Sequence, residues 1–65
     1  MYLLDYFAPA ATRRAAREEA VNAIRVKGAD AEQELRERIR RTESRTRRQV
    51  YRIAIKLLPD LLARS

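Results

Sequence analysis

A chain of 65 residues supports one small domain, and a domain of this size buries only about 60% of the surface its unfolded form exposes. With no cysteine and no histidine, disulfides are excluded and zinc lacks two of its usual ligand types, so stability has to come from dense helix packing or self-association. Fifteen Lys and Arg against nine Asp and Glu give a net charge of +6, which fits nucleic acid, anionic lipid or an acidic protein surface as partner.

Residues 1–5 lack a basic stretch ahead of their apolar residues, which reads against a secretory signal, and Arg52, Lys56, Pro59 and Asp60 interrupt the richest apolar stretch before it reaches spanning length. The missing cysteines are compatible with a reducing compartment, and cytoplasmic residence is the default expectation. Residues 1–8, with Leu3, Leu4 and Phe7, form an apolar N-terminal segment.

Pro9 suits the start of a helix, where its missing N–H costs little, and the spacing predicts a helix over about residues 9–27. Gly28, the one glycine, is placed to end it in a positive-φ conformation, with Lys27 favourable at the negative end of the helix dipole. Asp30 with Gln33 reads as an N-cap and capping box opening a second helix over about residues 30–58. In that helix Glu32–Arg36, Glu34–Arg38, Glu37–Arg41 and Glu43–Arg47 are i, i+4 pairs in the favoured order, each contributing about 0.2–0.5 kcal/mol. Pro59 is expected to end or kink it, leaving a short terminal turn.

A seam runs along the second helix through Leu35, Ile39, Thr42, Thr46, Val50, Ile53 and Leu57. The short connection at Gly28 makes the two helices antiparallel, and because both rise equally per residue, facing positions should sum to about 58. That rule pairs Ile24 with Leu35, Ala20 with Ile39, Ala16 with Thr42, Thr12 or Ala11 with Thr46, and Ala8 with Val50. The fold class is therefore all-α, a helical hairpin with a waist of small residues and an apolar base.

The apolar residues between Val50 and Leu62 cover an arc of roughly 200°, wider than the roughly 100° stripe of a surface helix. One stripe continues the seam, and the other, through Tyr51, Ile55, Leu58 and Leu62, needs a further partner. The candidates are the N-terminal segment of the same chain, through Leu3, Leu4 and Phe7, or a second copy. A homodimer forming a four-helix bundle is the favoured expectation, ahead of docking on a different protein or peripheral contact with a membrane. The corresponding function is a non-catalytic, self-associating interaction module of regulatory or architectural kind.

The alternative is a small basic nucleic-acid-binding protein. Residues 36–48 hold seven arginines against two glutamates, and Arg40, Arg41, Arg45, Arg47, Arg48 and Arg52 are the candidate phosphate contacts. On one continuous helix these arginines would surround every face except the seam, the pattern of a solvated helix. A helix-turn-helix centred on Gly28 is disfavoured, because the helix after it would be about twice the length of a recognition helix. Catalysis has no support: there is no glycine-rich phosphate loop, no HExxH spacing, no ligand set for a cofactor or metal, and Glu18 and Glu19 splay about 100° apart on a helix.

Overall fold

The computed structural model describes residues 9–64, so the expected packing of Leu3, Leu4 and Phe7 on the apolar base, and of Ala8 against Val50, lies outside the described residues. The described chain is helical almost throughout: α1 (Ala10–Lys27), a 3₁₀ turn (Gly28–Asp30), α2 (Ala31–Arg41) and α3 (Arg45–Arg64). It keeps the all-α, hairpin-like character expected of the sequence, with α1 and α2 folded back on each other around Gly28.

Pro9, with φ −57°, precedes α1, and its carbonyl accepts the Arg13 N–H at 3.0 Å. At the other end Gly28 takes φ 56° and ψ −123°, a conformation that L side chains rarely adopt, while its N–H bonds the Ile24 carbonyl. The expected capping box at Asp30 does not form. Asp30 has φ −92° and ψ 15° and makes no side-chain cap, because the 3₁₀ turn runs straight into α2 and the Gly28 carbonyl already accepts the Ala31 N–H.

The larger difference is that the expected second helix is divided at residues 42–44. A continuous helix over about 29 residues would be roughly 43 Å long, whereas the extent along the longest principal axis is 27 Å. Thr42 ends α2 in an extended conformation, φ −86° and ψ 142°. Its hydroxyl accepts the Ser44 N–H at 3.2 Å, the Ser44 hydroxyl accepts the Arg47 N–H at 3.2 Å, and the Arg48 guanidinium donates to the Thr42 carbonyl at 3.2 Å. Serine and threonine offer the backbone local partners that compete with helix, and here both do so within three residues.

Packing explains why the break wins. Interrupting a helix forfeits a few hydrogen bonds worth about 1 kcal/mol each net, and side-chain caps restore part of that. In return α3 lies against both α1 and α2, and its wide apolar arc enters the core. Tyr51, Ile53, Ala54 and Leu58 are buried together with Ala16, Ala20 and Ala23 of α1 and with Ala31 and Leu35 of α2. Burying a large apolar side chain is worth about 1.5–3 kcal/mol, so Tyr51, Ile53 and Leu58 outweigh the interrupted ladder.

One contact before the break fits the facing-sum rule, and the waist expected beyond it does not form. Arg38 of α2 donates to Glu19 of α1 at 2.6 Å, a sum of 57, but Thr46 and Ala11 are exposed and make no waist. The alanine face of α1 packs chiefly against α3 instead. Nor does Pro59 end the last helix, which continues to Arg64. Pro59 is solvent-exposed, and the turn beyond it carries Leu61 onto the core, which offsets the cost of roughly 3 kcal/mol expected for proline inside a helix.

Candidate nucleic-acid interface

The division at residues 42–44 sorts the candidate arginines into different environments. On α2 the acidic residues lie within one helical turn. Arg36 meets Glu32 at 2.8 Å, Arg38 meets Glu34 at 3.0 Å as well as Glu19, and Arg40 meets Glu37 at 2.5 Å. The expected Glu37–Arg41 pair is thus replaced by Glu37–Arg40, one residue closer. The expected Glu43–Arg47 pair is absent among the described residues, since Glu43 lies in the break and not on the helix that carries Arg47.

Of the six candidate phosphate contacts, Arg40 is therefore compensated by Glu37, and half-buried Arg48 holds the break together through the Thr42 carbonyl. Arg41, Arg45, Arg47 and Arg52 are exposed and form no ion pair among the described residues. Arg41 closes α2 and Arg45 opens α3, so the turn carries a positive side chain at each end.

Around α3, at about 100° per residue, the buried side chains Ile53, Ala54, Leu58 and Tyr51 span roughly 80–240° from Arg45, whereas Arg52 and Lys56 fall within about 20° of it and half-buried Gln49 at about 40°. The outer face of α3 thus presents Arg45, Arg52 and Lys56 in line, away from the core, with half-buried Gln49 at its edge. No acidic residue occurs between Glu43 and Asp60. Arg47, at about 200° from Arg45, projects from the other side of the first turn. Arg45 and Arg52 thus share one exposed face of a helix whose other side is largely core, and Arg47 stands apart from them.

The residues expected at a protein interface are distributed differently. Tyr51 and Leu58 are 8% and 3% exposed within the single chain, Ile55 is half-buried and Leu62 is 39% exposed. Sequence reasoning missed Gln49 as a member of the outer face, and Ser44 and Thr42 as the residues that aim α3. The signal for the latter was present in Thr42-Glu43-Ser44, a pair of helix-competing hydroxyls at the 4, 4 step of the seam.

A shallow cleft of about 90 Å³ between α1 and the end of α3 is lined by Arg17, Leu57, Asp60, Leu61 and Arg64. It is far below the roughly 300–1,000 Å³ of small-molecule sites. Among the described residues no group of three or more acidic side chains is placed to hold a metal ion, and no helix is long and apolar enough to cross a membrane. No family model, curated protein or solved structure is significantly similar to this chain.

Proposed function

We propose that this chain is a non-catalytic, basic nucleic-acid-binding module of the cytoplasm that engages phosphates through the outer face of α3. The observation that carries this reading is the one-sided placement of Arg45 and Arg52, exposed and without a carboxylate partner among the described residues, next to Arg41 at the end of α2. An arginine already paired to glutamate gains little from phosphate, whereas an unpaired one releases condensed counterions when it binds.

Fluorescence anisotropy with a labelled duplex across a salt series tests it. Three phosphate contacts predict a log–log slope near −2.7, hence roughly 40-fold weaker binding on going from about 50 to about 200 mM salt. Absence of binding at low salt, a flat salt response, or equal binding to anionic vesicles would each defeat the proposal.

Self-association keeps one specific support, the 39% exposure of Leu62 in line with half-buried Ile55 at the apolar end of α3. This reading expects a dimer by mass measurement at micromolar concentration, with the mass halved by Leu62→Asp. A strictly monomeric folded species would remove it.

A further inference from the structure

The nucleic-acid reading leaves open which nucleic acid is bound and by which surface, and three features of the fold narrow both. The first is segment order. α2, a three-residue turn at residues 42–44 and α3 follow one another in the segment order of a helix-turn-helix, whose connection is about 3–4 residues. α1 and α2 lie side by side, tied across by Glu19 and Arg38, and α3 packs on both, so its far face is turned away from α1 and α2.

The second feature is the chemistry of that face. Arg45, Gln49 and Arg52 stand at i, i+4 and i+7, within a sector of about 60° and spanning about 10.5 Å along the axis. Arginine and glutamine are the side chains that match guanine and adenine edges in the major groove by paired hydrogen bonds. Gln49 is uncharged and sits between the two arginines, where its amide can both donate and accept, as a base edge requires.

The third is the width of α3. A helix about 10–12 Å across enters the roughly 12 Å major groove of B-form DNA. The narrow major groove of an RNA duplex does not admit it.

We propose, building on the nucleic-acid reading above, that α3 seats in the major groove of duplex DNA, with Gln49 and Arg52 toward base edges and Arg41 and Arg45 on the flanking phosphates. Ser44 and Thr42 act as positioning residues that set the angle at which α3 leaves α2.

The test compares three forms of one duplex in anisotropy titrations with the full chain: plain, with the major groove filled by glucosylated hydroxymethylcytosine, and with the minor groove filled by netropsin. Filling the major groove should weaken binding at least tenfold, and filling the minor groove should change it less than twofold. Gln49→Ala removes no charge, so it should lower affinity for the plain duplex by about fivefold or more with the salt slope unchanged and the thermal melt cooperative. Equal affinity for plain and glucosylated duplex, tighter binding to single strands or to an RNA duplex, or wild-type affinity in Gln49→Ala would each overturn the groove assignment while leaving phosphate-directed binding in place. If no nucleic acid is bound at low salt, both readings fall together.

Discussion

On α2, Arg36, Arg38 and Arg40 each face a glutamate of the same helix, and Arg38 reaches Glu19 on α1 as well; on α3, Arg45 and Arg52 stand on the outer face with no carboxylate partner among the described residues. The two helices are joined by three residues, and both are rich in arginine. What separates them is the spacing of acids. Glu32, Glu34 and Glu37 fall three or four residues before an arginine, while α3 has no acid before Asp60. Counting arginines along residues 36–48 therefore merges two populations, one that fastens the fold and one left over for a partner.

The largest expected effect concerns the inner side of α2. Leu35 is fully buried, so Leu35→Ala should destabilise the fold by about 2–5 kcal/mol, read from the urea midpoint. A change below about 1 kcal/mol would mean that α2 is not held to the core as described.

Next come matched charge reversals, which change net charge equally in the two helices. Arg45→Glu with Arg52→Glu should weaken duplex binding by on the order of 100-fold, about 2.7 kcal/mol, at low salt. Arg36→Glu with Arg40→Glu should weaken it only severalfold, through the overall field. Equal losses would show that net charge alone governs binding and would dissolve the distinction between the helices.

The boundary between the helices gives a smaller effect. Ser44→Ala removes the hydroxyl that accepts the Arg47 N–H and should cost about 1 kcal/mol of stability. Asp30→Ala, at the cap expected from sequence, should change stability by no more than a few tenths of a kcal/mol, because no side-chain cap exists there. Thermal melts of the two variants side by side would reverse that ranking if the capping assignments were exchanged. Smallest of all, Arg36→Ala breaks an exposed pair within one helix and should cost about 0.2–0.5 kcal/mol. A loss near that of Ser44→Ala would show a wider role for Arg36.

Local features were read well from sequence where one residue type has one cheap solution. Gly28 ends α1 because few residues tolerate φ 56°, and Glu32–Arg36 and Glu34–Arg38 pair because helical spacing places them one turn apart. Features that depend on competition between local and distant contacts were not legible. Thr42 and Ser44 can belong to a helix seam or interrupt it, and Asp30 can cap or yield to a preceding turn. Pro59 breaks most helices, yet here lies inside one.

By itself the sequence determined an all-helical chain, the turn at Gly28, the direction of α2 relative to α1, and an apolar arc on the C-terminal helix too wide for a single neighbour. Each follows from interactions within one or two turns, or from the equal rise of two helices leaving a short turn. Tertiary structure decided how that arc is covered. It opened the chain at residues 42–44 and laid α3 against both α1 and α2, placing Tyr51 and Leu58 in the core of a single chain. The physical reason is that burial is non-local: the apolar area gained by folding α3 back exceeds the hydrogen bonds lost at the break. The same movement turned Arg45 and Arg52 outward, with half-buried Gln49 between them.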